Sequence, residues 1–256
     1  MTGPIRTGAP PRARVLVTGG AKRLGAAIVR AVAVAGYRPV IHCLRSRDAA
    51  EALAREVDGE VVQGDLADPS AIAALFAAAC RDDAGLFAVV NSASQFEFDR
   101  PEAPDPALAA RLHAVNAIAP ALLTAALAAR GGEGAVVNLL DQKLANPNPD
   151  FFSYTLSKAA LESATVLAAQ AFAPRLRINA VAPGLTLPSG EQSDAAFDRV
   201  ARANLLRRPV GAAAVAEAVV YLLGARSVTG QTLFVDGGQR FLKREGDVMF
   251  AEDQHG

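Results

Sequence analysis

The chain has 256 residues, and its 26 Lys plus Arg are matched by 26 Asp plus Glu, so net charge gives no reason to expect nucleic acid or an anionic membrane as partner. Trp is absent and aromatics are scarce, which disfavours a base-stacking surface, and the length suits one α/β domain with a large core. Cys43 and Cys80 read as buried free thiols of a reducing, cytoplasmic setting; no run of about twenty residues lacks both charge and Pro, so no membrane span is expected.

In chain order, residues 1–13 are rich in Gly, Pro and Arg and are expected to form a disordered lead-in. Strand-like apolar runs follow at Val15–Val17, Pro39–Leu44, Glu60–Val62, Phe87–Val90, Val136–Leu140, Leu176–Val181 and Thr232–Val235. Helical patterns lie between them, at roughly 24–35, 49–57, 69–79, 106–129, 151–172 and 212–223. This alternation predicts an α/β fold: a single-domain, Rossmann-like, doubly wound parallel sheet flanked by helices over residues 14–240. The stretch from Pro183 to Arg208 lacks a strand and reads as an insertion beyond a strand end, where a lid would sit. The charged tail, 241–256, is expected to be disordered or to reach a second subunit.

The first strand runs into Thr18-Gly19-Gly20-Ala21-Lys22-Arg23-Leu24-Gly25 and then a helix. Glycines there let the backbone turn tightly and approach a pyrophosphate at the helix N-terminus. The second strand ends in His42-Cys43-Leu44-Arg45-Ser46-Arg47. An acidic residue would suit the ribose of NAD at this point; Arg45, Ser46 and Arg47, with Lys22 and Arg23, suit the extra phosphate of NADP. His42 is either a cofactor contact or a core or rim histidine. Asp65, before Leu66, either accepts from an adenine or caps the helix beginning near Asp68. After the fourth strand, Asn91-Ser92-Ala93-Ser94-Gln95-Phe96 supplies small residues that would let a nicotinamide ribose lie close to the backbone.

The fifth strand ends at Asp141, at the carboxyl edge of the sheet where such folds bind ligands. Tyr154 and Lys158 follow at i and i+4 on a helix, and an ammonium beside a phenol favours phenolate, making Tyr154 a candidate proton donor or acceptor. Asp141 is either catalytic or a cap for its own loop. No metal site is indicated.

Taken in order, the glycine loop, Asp65-Leu66, Asn91-Ser92-Ala93, Asn116, Tyr154 with Lys158, Pro183-Gly184 and Val235-Asp236-Gly237-Gly238 resemble the short-chain dehydrogenase/reductase family over about residues 14–240. Arg23, His42 with Arg45-Ser46, Ser94, Phe96 and Asp141 make the chain most similar to the pteridine reductase branch, which includes bacterial dihydromonapterin and dihydrofolate reductases. Asp141 stands where most of the family has a catalytic Ser.

The resemblance implies an NADPH-dependent enzyme. Tyr154 would donate the proton, and Lys158 would bind the nicotinamide ribose and lower the tyrosine pKa. Asn116 would anchor a water leading to Lys158, and Asp141 would assist protonation. Gly19, Lys22, Arg23, Leu24, His42, Arg45, Ser46, Asp65, Leu66, Asn91, Ser92, Ala93, Pro183 and Gly184 would join Tyr154 and Lys158 around NADP(H). Arg23, Ser94, Phe96, Asp141 and Tyr154 would meet the substrate, with Phe96 stacking on a pterin. A homo-oligomer, dimer or tetramer, is implied through the helices at 106–129 and 151–172; Arg240 or Arg244 of a neighbour's tail would be placed to close the site.

An ionised carboxylate at position 141 cannot donate a hydrogen bond and would repel a developing alkoxide, which disfavours ketone reduction. It suits a substrate that presents N–H donors or gains a proton on nitrogen, as a cyclic C=N does. Three functions remain open at this point: a pteridine reductase-like enzyme, an NADPH reductase of another carbonyl or imine, and a non-catalytic NADPH-binding regulator. Retention of Tyr154, Lys158 and Asn116 together argues against the third.

Overall fold

Every run expected as a strand is one, within two residues at either end: β1 (Arg14–Val17), β2 (Arg38–Cys43), β3 (Glu60–Gln63), β4 (Leu86–Asn91), β5 (Gly134–Leu139), β6 (Leu176–Pro183) and β7 (Thr232–Val235). The computed structural model describes residues 12–81, 85–188, 194–243 and 246–247. The strands form one parallel sheet in the order β3-β2-β1-β4-β5-β6-β7. The chain winds outward from β1 to β3, then returns to β4 beside β1. That reversal opens a crevice at the carboxyl ends of β1 and β4, where folds of this kind bind ligands.

The helices are α1 (Arg23–Val34), α2 (Arg47–Val57), α3 (Ile72–Ala79), α4 (Pro106–His113), α5 (Ala119–Arg130), α6 (Phe152–Phe172), α7 (Asp194–Ala201) and α8 (Gly211–Gly224). Side chains alternate along each strand, so both faces need covering. Val15, Val17, Ile41, Val90 and Val137 pack with α1, α2 and α8 on one face. Leu16, Val40, Val89, Val136 and Ile178 pack with α3, α5 and α6 on the other. Full burial of each such side chain contributes about 1.5–3 kcal/mol, which is why near-continuous apolar runs become central strands.

The helix expected over 106–129 is α4 and α5 joined by a π-helical turn at Ala114–Ile118. Pro120 cannot donate to the carbonyl of Asn116, four residues back, and its ring would crowd that carbonyl in an ordinary helix; the wider turn relieves this. The stretch Pro106–Arg130 is long and apolar enough to cross a membrane, yet 61% of its most apolar window is buried in the protein. The insertion after Pro183 contains α7, whose Val200 and Ala201 are buried; residues 189–193 lie outside the described residues.

At the termini, residues 1–11 also lie outside the description; Ala13 is buried and its carbonyl accepts from the Arg38 amide at 3.0 Å. Cys43 is buried and Cys80 half-buried; both are free.

Candidate active site

The glycine loop is built for close backbone approach. Gly19 adopts φ +62°, and a Cβ there would come within 2.9 Å of the Ala93 Cα. A Cβ on Gly25 would come within 2.1 Å of the Gly19 carbonyl oxygen. Thr18 ties the β1 and β4 ends together: its Oγ accepts from the Ser92 and Ala93 amides, each at 3.0 Å.

His42 resolves to the core alternative. It is buried, its Nδ1 accepts from the Gly19 amide at 3.1 Å, and its Nε2 lies 3.1 Å from the Gly64 carbonyl. An amide can only donate, so Nδ1 is the bare nitrogen and Nε2 carries the proton. Burial also pushes the imidazole pKa down, favouring this neutral tautomer. Both ring nitrogens are thus engaged with protein, and His42 clasps the glycine loop to the end of β3.

Around this clasp the basic residues are divided. Lys22, Arg23 and Arg45 are exposed near the ends of β1 and β2. Arg47 is committed to Glu51 at 2.8 Å and Gln63 at 3.3 Å. Ser46 is the N-cap residue of α2 without a side-chain cap bond. Arg23 has φ +52°, a left-handed conformation that costs a non-glycine residue about 1–2 kcal/mol, and its guanidinium donates to the Pro188 carbonyl. Asp65 is exposed and accepts from the Ala67 amide at 2.8 Å; Asp68, not Asp65, caps the next turn through the Ser70 amide. Leu66 is buried in the core. Asn91 is buried too, donating to Asn138 Oδ1 at 2.8 Å, so its side chain turns into the sheet rather than toward the crevice.

Asp141 uses its two oxygens differently. Oδ1 accepts from the Lys143 amide at 2.9 Å and caps the turn Gln142–Ala145; Oδ2 accepts from the Tyr154 hydroxyl at 2.8 Å. The catalytic and capping alternatives therefore coexist in geometry. Tyr154 and Lys158 are both buried on α6, with Lys158 Nζ 5.8 Å from the tyrosine ring centroid and donating to the Leu139 carbonyl at 2.7 Å.

Burial, and then the Asp141 carboxylate, hold the phenol well above its ordinary value. Burial also raises Asp141, and it lowers Lys158 to about 8, with Asp141 acting in the opposite sense. Tyr154 is therefore a neutral phenol that donates. Asn116, buried on the π turn, binds the main chain of Gln95 from both sides at 2.9 Å and donates to Ser157 Oγ at 3.0 Å. The hydroxyl of Ser94 lies 3.3 Å from Asn116 Oδ1 and also bears on the Tyr154 phenol.

A cavity of about 270 Å³ brings Leu24, Ser92, Ser94, Phe96, Asp141, Tyr154, Lys158, Pro183 and Gly184 together. Arg23, His42, Arg45, Ser46, Asp65, Leu66, Asn91, Ala93 and Asn116 do not line it. Gly184 must lack a side chain, since a Cβ would come within 2.8 Å of the Asp236 Cα. Phe96 is partly exposed, stacked on Phe151 at 4.0 Å and edge-on to Tyr154 at 4.7 Å. Phe151, at the start of the helical pattern expected over 151–172, instead sits in a left-handed conformation just before α6.

Two further residues were not anticipated. Lys143 lines the cavity, and so does Asp247 from the tail, 3.0 Å from its Nζ. The tail at this point therefore reaches the cavity of its own chain. Arg240 is held by Asp236 at 2.8 Å and packs on Phe234 and Phe241 instead; Arg244 lies outside the described residues.

Comparison with known proteins agrees with this geometry. The family described as enoyl-(acyl carrier protein) reductase matches residues 19–240. The dihydromonapterin reductase of Enterobacter sp. (strain 638) is 29% identical, over 91% of this chain and 98% of its own. A proposed ketoacyl reductase of the granaticin polyketide synthase from Streptomyces violaceoruber is 31% identical, over 93% and 100%. Among solved structures, FolM alternative dihydrofolate reductase 1 from Brucella suis, in complex with NADP, is 40% identical with a TM-score of 0.86, covering 91% of this chain and 96% of that one. With the ordered motifs, the parallel sheet and these matches together, the chain belongs to the short-chain dehydrogenase/reductase family.

Proposed function

We propose that the chain is an NADPH-dependent reductase of a pteridine-class C=N bond, of the dihydropterin or dihydrofolate kind. The observation that carries this is the 2.8 Å bond from the Tyr154 hydroxyl to the Asp141 carboxylate inside the cavity. A pair of oxygens sharing a proton there suits a substrate nitrogen that must gain one, whereas a carboxylate opposes an alkoxide. The dihydromonapterin reductase relatives and the NADP-bound FolM structures support the same assignment.

The residues present fit NADP. The backbone floor at Gly19 and Gly25 leaves no room for side chains, and exposed Lys22, Arg23 and Arg45 supply positive charge, with Arg45 and Ser46 in place of a carboxylate directly after β2. When bound, NADPH supplies the hydride. Gly19, Leu24, Ser92, Ala93, Lys158, Pro183 and Gly184 would hold it, while Ser94, Phe96 and Asp141 would orient the substrate. Tyr154 Oη and Asp141 Oδ2 hold the proton delivered to nitrogen, and burial of Tyr154 keeps it from being lost to water at neutral pH. Asn116 positions the Gln95 backbone and Ser157 behind this pair.

NADPH oxidation with dihydromonapterin, dihydrobiopterin and dihydrofolate, beside a panel of ketones, tests the assignment. Turnover of the pterins with little on ketones is expected. Turnover of ketones alone would move the protein to the carbonyl reading that the Streptomyces relative represents. Arg45→Ala is expected to weaken NADPH by about tenfold while NADH changes little. Arg47→Ala should do less, since Arg47 is already engaged by Glu51. Equal losses for both cofactors, measured by titration, would refute the phosphate role.

We also propose a homo-oligomer. Ile118 beside α5, Leu122 on it, and Leu156, Val166 and Leu167 on α6 expose apolar side chains on neighbouring elements. A protomer mass by light scattering would rule this out. Two free thiols fit a reducing compartment, the cytoplasm.

A further inference from the structure

The cavity beyond Tyr154 is rich in acceptors. Asp141, Gln142, Asn148 and Asp247 all line it, and Gln142 Oε1 is buried with no hydrogen-bond partner among the described residues. With carboxylates of Asp141 and Asp247 in its lining, this end favours a ligand bringing O–H or N–H groups. The ammonium at this end, Lys143, is already covered. Its side chain is 5% exposed, with Asn148 Oδ1 at 2.6 Å and Asp247 Oδ2 at 3.0 Å. Asp247 is held in turn, its amide donating to Asp150 Oδ2 at 2.8 Å, while Asp150 Oδ1 accepts from Arg100 at 2.9 Å.

We infer that Asp247, the counter-ion that the C-terminal tail supplies to Lys143, is the residue that selects against carboxylate-bearing substrates and leaves the site to uncharged, donor-rich ones. A carboxylate brought to this end of the cavity would either displace Asp247 from a buried ion pair or lie beside it, and both are unfavourable. A hydroxylated side chain can donate to the Asp247 carboxylate, which keeps some exposure, without breaking the pair. The inference rests on the pteridine reductase reading for its substrates: dihydromonapterin has an uncharged, hydroxylated side chain, and dihydrofolate has the same ring with a glutamate-bearing one.

The test compares kcat/KM for these two substrates in the full chain and in Asp247→Asn, Lys143→Gln and the double variant. Asp247→Asn is expected to raise dihydrofolate relative to dihydromonapterin by about tenfold, and the double variant to lose that gain because the ammonium is gone. An unchanged ratio in Asp247→Asn would overturn the inference. Calorimetric affinities of folate and biopterin, with NADP⁺ saturating, read the same selection without turnover. A shift there with no NADPH oxidation by any variant would uphold the selection and remove the reductase reading; no shift there would overturn the selection itself.

Discussion

Tyr154→Phe is expected to lower kcat by about 10³-fold while NADPH affinity stays close to that of the parent protein. The phenylalanine keeps the ring that packs edge-on against Phe96 at 4.7 Å and removes only the hydroxyl that bonds Asp141. The loss therefore falls on proton delivery, not on packing. It should appear equally in kcat and kcat/KM, because the missing interaction belongs to the transition state. Single-turnover kinetics with titration of NADPH checks both halves. Survival of turnover would mean that the proton comes from elsewhere, with Asp141 itself the first candidate, since burial raises its pKa.

Asp141→Asn is expected to lower kcat/KM by about 10²-fold for a C=N substrate and to change the pH profile in a definite direction. In the parent protein Lys158 has a pKa of about 8, lowered by burial and partly restored by the Asp141 charge. The profile of kcat/KM reports the free enzyme, so it should fall as pH rises through about 8 and the ammonium is lost. Asparagine removes the restoring charge, Lys158 loses its proton more easily, and the falling limb moves to lower pH. Tyr154 shifts downward as well, because the carboxylate that raises it is gone. A limb that stays in place would show that Lys158 and Asp141 are not coupled as their arrangement requires.

The sheet and its helices were legible in the sequence because each rests on local periodicity. Leu16 between Val15 and Val17 already specifies a strand buried on both faces. Gly19, Gly25 and Gly184 were legible for a similar reason, as only a missing Cβ fits a loop pressed against its neighbours. Tyr154 and Lys158 share a helix, so their spacing alone put them on one face.

Tertiary structure decided the rest. It turned His42 into a clasp and Asn91 into a buried partner of Asn138, because both depend on which backbone lies opposite a strand end. It set the direction of the tyrosine pKa, which burial and then the facing Asp141 carboxylate raise. It also carried Asp247 to Lys143, more than a hundred residues away along the chain. Helix and strand periodicities describe neighbours along the chain; ion pairs, burial and pKa shifts arise between residues that only folding brings together.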